Sequence, residues 1–306
     1  MFMRADGCET LLHCFKKKFM SLKKSPLKVL LLITILFTIF QNSSFAQGGF
    51  PVRPGRLLIS PAVSYFYANS QWDSVGTLRS FPNKGNFTSY GITLHSEFGI
   101  TRRFAAVATL PYVVNQYRQA TAPKTTTTSG LTDLETGLKF YAFNIDFIYY
   151  FSIQATAITP MYTNNASLGY GEEGGELKLA FSGTGHLSDL STYFNVEDGV
   201  RQYFGTNGPI QDRYSGTFGL TLDEDFLNQV SVTVSGIYSQ SNDKSFSPVR
   251  TLSNKDFNFL QASLAYGHTF TPEFSVFING GKFITGRNTG NGYIGSLAFI
   301  YRLDYR

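Results

Sequence analysis

The stretch GYIGSLAFIYRLDYR, residues 292–306, closes the chain, and its alternation decides the fold. Every second residue from Tyr293 gives Tyr293, Gly295, Leu297, Phe299, Tyr301, Leu303 and Tyr305, an apolar and aromatic face. The residues between them begin with Ile294 and Ser296 and end with Arg302, Asp304 and Arg306. A period of two marks a strand with unlike surroundings on its two sides. Such a strand resists fraying if its aromatic side never meets water.

The same period recurs upstream. In FTSYGITLHSEFGI (87–100), Tyr90, Ile92, Leu94 and Phe98 oppose Ser89, Gly91, Thr93, His95 and Glu97. In LTDLETGLKFYAF (131–143), Leu134, Leu138 and Phe140 oppose Asp133, Glu135, Lys139 and Tyr141. Twelve such segments fall near 57–68, 87–100, 104–117, 132–143, 147–159, 176–186, 192–204, 213–223, 229–239, 257–270, 274–284 and 293–305. The seventh has the weakest pattern, because Asp198 and Gln202 interrupt its apolar face.

The connections add a second signal. TRR (101–103), NID (144–146) and TPE (271–273) are short, as are those after the sixth and eighth segments. The alternate ones, near 69–86, 118–131, 160–175, 205–212, 240–256 and 285–292, are longer. Strands half in lipid must pair every backbone group, so their sheet closes into a barrel with short periplasmic turns and longer outer loops. The reading is an all-β transmembrane antiparallel barrel over 47–306, with twelve strands and both termini periplasmic. A soluble β-sandwich also alternates, but its apolar face is aliphatic rather than aromatic and its loops are less regular.

Composition fits. Aromatics make up 16% of the 306 residues and charged residues only 15%, with 29 Gly and 29 Phe; a soluble domain carries about 25% charge. The net charge of +5 sits in the leader: residues 1–46 hold seven of the 26 Lys and Arg and two of the 21 acids. Residues 47–306 are therefore formally neutral, with 19 of each, which argues against nucleic acid. Cys8 and Cys14 also lie in the leader, so the barrel has no disulfide, thiolate metal site or cysteine nucleophile.

The leader reads as an export signal. Lysines end at Lys28, an apolar run covers Val29 to Phe40, and Ser44-Phe45-Ala46 supplies the small residues of a cleavage site. Cleavage after Ala46 starts the mature chain at Gln47, and Met20 could serve as the start of translation. A run of twelve residues makes about 18 Å of helix, short of the roughly 30 Å hydrocarbon core; a retained signal anchor is the alternative.

Two neighbouring stretches resemble a known group. FGITRRFAAVATLPYV (98–113) resembles a strand–turn–strand in which G-[IL]-T-x-R precedes an LPY strand. SGLTDLETGLKFY (129–141) is similar to the same group's G-x-x-D-x-x-x-x-x-K element, through Gly130, Asp133 and Lys139. Both occur in the outer-membrane transporters associated with the MetA pathway of phenol degradation. The resemblance implies a barrel that passes small, hydrophobic or aromatic compounds; phenol itself is not carried over.

His95, Glu97, Asp133, Glu135, Lys139, Lys178 and Arg302 are expected to line the lumen, where mixed signs favour internal ion pairs, for example Glu135 with Lys139 or with a neighbour across the strand. Unpaired charges of one sign would instead make a selective pore. The outward Phe299, Tyr301, Leu303 and Tyr305 match the C-terminal signal read by the barrel-insertion machinery, although that signal usually ends on Phe. His186 falls at a periplasmic turn and His268 on the lipid face near an interface. GYGEEG (169–174) reads as an outer loop rather than a phosphate cradle, since Glu172 and Glu173 repel phosphate. A calcium site from Glu172, Glu173 and Glu176 is a minor alternative. TAPKTTTTSG (121–130) reads as a mobile polar loop.

No cofactor, metal or energy-coupling motif is expected. The expected function is passive passage of small solutes across the outer membrane, in contact with lipid, with the oligomeric state open. A non-conducting structural or surface-interaction barrel is the first alternative, and a membrane-embedded lipid hydrolase, which needs a Ser near a His, is the second.

Overall fold

A computed structural model describes residues 49–120, 125–163, 167–247 and 254–305. The leader, with Ser44 and Ala46, lies outside the described residues. The alternating segments form one antiparallel sheet of β1 (Arg56–Trp72), β2 (Leu78–Ser80), β3 (Asn86–Gly99), β4 (Phe104–Arg118), β5 (Thr125–Leu131), β6 (Asp133–Ile145) and β7 (Tyr149–Pro160). It continues through β8 (Gly174–Leu187), β9 (Leu190–Tyr203), β10 (Ile210–Thr221), β11 (Asn228–Gln240), β12 (Phe257–Thr271), β13 (Phe274–Arg287) and β14 (Thr289–Asp304).

Neighbours in sequence are neighbours in space, and β14 pairs with β1 from Arg56↔Asp304 to Trp72↔Thr289, which closes the sheet. Among the described residues, twelve strands are long. The short β2 folds back on β1, and β5 carries the line of β6 past Thr132 to pair with the upper part of β4. Closure keeps the final strand from fraying: its backbone is paired on both sides, by β13 and by β1.

The period-two pattern sorts inside from outside. On β14 the odd residues point outward, with Tyr293, Tyr301 and Leu303 exposed, as is Tyr305 just beyond it; Ile92, Leu138, Val200, Leu264 and Ile278 are likewise exposed on their strands. An outer wall built of large apolar side chains belongs in hydrocarbon, not water. Buried polar groups face the interior, including Glu97, Lys139, Ser152, Asn195 and Arg201.

The strand ends depart from the alternation in three places. Thr125–Leu131, read as loop, is strand β5, because β4 runs on to Arg118 and offers it an edge. Residues 285–292, also read as loop, are extended: β13 runs to Arg287 and β14 starts at Thr289, each pairing with its outer neighbour. The ladder between β13 and β14 themselves ends at Lys282↔Tyr293. Strand β1 continues to Trp72 past a register shift between Ala68 and Ser70.

Candidate functional site

The interior is built in layers, because inward positions two residues apart on one strand lie at successive heights. At the end with the short turns, a segment before β1 crosses the lumen. The Gly49 N–H donates to Ser182 Oγ (2.9 Å) and Asn195 Oδ1 (3.2 Å), on β8 and β9, and the Val52 N–H donates to Tyr141 Oη (3.2 Å), on β6. The Phe50 and Tyr150 rings lie 5.6 Å apart. Gly99 permits the crossing: a Cβ there would stand 2.1 Å from the Arg53 carbonyl oxygen. Sequence reading missed this segment, since PVRPG carries no strand pattern of its own.

Above it lies a polar chamber of about 200 Å³ lined by His95, Glu97, Lys139, Ser152, Gln154, Lys178, Ala180 and Glu197. Lys139 Nζ reaches Glu97 Oε1 at 3.2 Å, with both side chains buried, and Tyr141 Oη donates to the same oxygen at 2.7 Å. Lys178 Nζ pairs with Glu197 Oε2 at 3.2 Å. His95 Nδ1 lies 2.9 Å from Thr109 Oγ1.

Arg201 dominates the next layer. Its Nη2 meets Glu135 Oε1 and its Nε meets Glu176 Oε2, both at 2.6 Å. Arg213 adds a contact to Glu176 at 3.4 Å, and Tyr203 Oη donates to Asp133 Oδ2 at 3.1 Å. Two carboxylates holding one guanidinium satisfy charges that would otherwise be costly to bury.

The expected pair of Glu135 with Lys139 does not form. Four residues along a strand is about 13 Å, so the two sit in different layers and each finds a partner on another strand, Arg201 on β9 and Glu97 on β3. The calcium alternative also fails among the described residues, which hold no metal-binding cluster; Glu176 is taken by Arg201, and Glu172 pairs with Lys255 at 3.3 Å. Arg302 lies at the short-turn end, where it donates to Ser275 Oγ (2.9 Å). His186 Nδ1 is 3.4 Å from Ser191 Oγ, and His268 Nδ1 is 2.7 Å from Asn228 Oδ1.

Toward the long loops the lining turns aromatic. A vestibule of about 460 Å³ is walled by Phe66, Phe87, Phe257, Phe259 and Phe283, with Asp133, Glu135, Arg201 and Arg213 also in its lining. The Phe259 and Phe283 rings stack at 4.5 Å, and Phe66 meets Phe283 at 5.2 Å. Residues 168–170, in the connection between β7 and β8, fold inward over it. Leu168 is buried and Tyr170 half-buried there, Asn115 Nδ2 donates to the Ser167 carbonyl, and Tyr170 Oη donates to the Asn254 carbonyl (2.9 Å). Gly130 makes room, since a Cβ would stand 2.7 Å from Leu168 Cδ1.

The vestibule and the chamber share strands: β6 supplies Glu135 above and Lys139 below, and β9 supplies Arg201 above and Glu197 below. The interior Arg201, Arg213, Glu176 and Glu197 were missed as lumen groups. The alternation signal was present, since Glu197 and Arg201 occupy the face opposite Val196 and Val200 on β9.

No protein-family model matches the sequence, and no curated protein matches it either. Solved structures do match in shape. An outer membrane channel from Pseudomonas putida F1 is 10% identical, with a TM-score of 0.65 over 85% of this chain and 100% of that one. The β domain of the Bordetella autotransporter BrkA is 12% identical, with a TM-score of 0.49 over 80% and 99%. The NanC porin is 9% identical, with a TM-score of 0.44 over 79% and 100%. The first of these shows the fold: a closed twelve-stranded antiparallel barrel of the outer-membrane type.

Proposed function

We propose that the chain is a passive outer-membrane channel for small solutes, with apolar or aromatic ones favoured at its outer mouth. The observation that carries the reading is the stacking of an aromatic vestibule on a charge-paired chamber inside a wall whose outer surface is apolar. Rings offer apolar solutes a place to leave water, and paired charges leave the lower passage polar without a strong preference for either sign.

In this reading the short turns and both termini face the periplasm and the long loops face outward. The leader, cleaved after Ala46 beside Ser44, delivers the chain for export. The outward Phe299, Tyr301 and Leu303 of β14, with Tyr305 just beyond it, serve as the insertion signal. His95, Glu97, Asp133, Glu135, Lys139 and Lys178 set the passage, and Arg302 guards its periplasmic rim. The chain acts without a cofactor and is not an enzyme. The MetA-group resemblance agrees with this reading, because its Gly130, Asp133 and Lys139 contact the inward loop, the vestibule and the chamber in turn.

Liposome swelling by refolded residues 47–306 tests the proposal. Small uncharged solutes should enter at rates that fall with size, and Phe259→Ala with Phe283→Ala should speed the bulkier ones. A barrel shown to be folded by heat-modifiable gel mobility, yet impermeable to every solute, would contradict it and favour a structural or surface-interaction barrel.

A further inference from the structure

Lys282 is an exposed cation on the outward face of β13, between Ile278 and Ile284, which are 59% and 55% exposed. Its ammonium lies 5.3 Å from the centroid of the Tyr293 ring, directly across the β13–β14 ladder, and Tyr293 in turn faces Tyr67 on β1. One step lower on the same face, Gly280 faces Gly295, and Gly295 faces Tyr65 on β1. A Cβ at Gly280 would meet nothing within 4 Å, and one at Gly295 only the Asn279 carbonyl at 3.8 Å. The wall is therefore hollow beneath the lysine, with tyrosine rings at its border.

Height decides what a lysine there can meet. Phe274, Phe299 and Tyr301 stack together near the short-turn end of the same two strands. From Phe274 to Lys282 is eight residues, about 20 Å along the membrane normal for a strand tilted by ~40°. That spans most of an apolar band of about 25 Å, so if the Phe274 cluster marks one interface, the ammonium reaches the other. A lysine at mid-membrane would be costly, whereas one at an interface meets headgroup phosphates. The outward carboxylates Asp198 and Asp212 stand on β9 and β10, several strands away in the sheet order, and do not compete for it.

We propose that Lys282, Tyr293 and the Gly280–Gly295 hollow form a binding site for a phosphorylated glycolipid of the outer leaflet. The phosphate pairs with the ammonium, which the Tyr293 ring holds in place by cation–π attraction. An acyl chain fills the hollow along Ile278 and Leu297. The site rests on the proposed orientation, with the long loops outward, because only then does Lys282 face the outer leaflet.

Native mass spectrometry of the mature barrel tests it, with equimolar diphosphorylated lipid A, dephosphorylated lipid A and phosphatidylglycerol in competition. Diphosphorylated lipid A should be retained preferentially. Lys282→Gln should lower its retention about fivefold and Lys282→Arg should restore it. Gly295→Leu should lower it with the cation intact. Unchanged retention in Lys282→Gln, equal retention of the dephosphorylated form, preference for phosphatidylglycerol, or a protein dimer in place of bound lipid would each overturn the proposal. Conductance of Lys282→Gln should equal that of the parent. A conducting barrel without lipid preference therefore refutes this site alone, whereas a silent barrel that retains lipid A refutes the channel.

Discussion

Lys139 Nζ lies 3.2 Å from Glu97 Oε1, joining β6 to β3 across β4, with about 6% and 8% of the two side chains exposed. The pair is closed off by Tyr141, whose hydroxyl also binds the crossing segment through Val52. One carboxylate thus ties the barrel wall to the strand of chain that crosses its lumen.

Removing one partner of that pair should cost more than removing both. Lys139→Met leaves Glu97 buried with Tyr141 as its remaining donor, and should destabilise the barrel by about 3 kcal/mol in denaturant titration. The double variant Glu97→Met, Lys139→Met should regain most of that loss. Equal destabilisation by the single and double variants would mean that the pairing itself stabilises the fold.

Arg201 is held by Glu135 and Glu176 at 2.6 Å each. Arg201→Ala leaves those carboxylates with Arg213 alone and widens the passage. Conductance should rise, and reversal potentials in a salt gradient should shift toward cation selectivity. Glu135→Gln should shift selectivity the opposite way by a smaller amount. If Arg201→Ala leaves selectivity unchanged, this layer does not border the ion path.

The crossing segment depends on close approach at Gly99. Gly99→Val should displace residues 49–53 and raise single-channel conductance, and deleting 49–53 should have the same effect. A cysteine pair at 49 and 182 should lower conductance on oxidation and recover it on reduction.

The long loops should loosen in acid. Asp256 accepts from Arg287 (2.7 Å) and Lys244 (3.0 Å). The Arg287 hydrogen bond is the main cause that holds its carboxyl below the ordinary carboxylate value, with Lys244 adding to it. A depressed folded value means that the stabilisation is full above the unfolded value of about 4 and is lost as pH falls through the folded one. Pepsin cleavage within 241–247 should therefore accelerate as pH drops below about 4. Asp256→Asn should speed tryptic cleavage after Lys244 and Lys255 at neutral pH.

The strand pattern was legible because lipid and lumen make opposite demands on alternate residues. Tyr293 to Tyr305 and Ile92 to Phe98 read correctly from period two alone. Strand β5 was not legible: Thr125 to Thr128 are uniform in polarity, and their pairing depends on the length of β4. The extended arms around Asn288 were hidden for the same reason, since glycines at 286, 290 and 292 erase the alternation. Inward charges could be listed from parity, but partners could not. Glu135 and Lys139 share a face in sequence, yet closure brings Arg201 to one and Glu97 to the other.

Planar-bilayer conductance of refolded residues 47–306 tests the central claim most directly. The account predicts discrete, salt-dependent steps with weak ion selectivity, because the described chamber charges are paired. Silence from a barrel that shifts on heating in gel mobility would contradict an open passage, and strong selectivity in the unmodified chain would contradict the pairing.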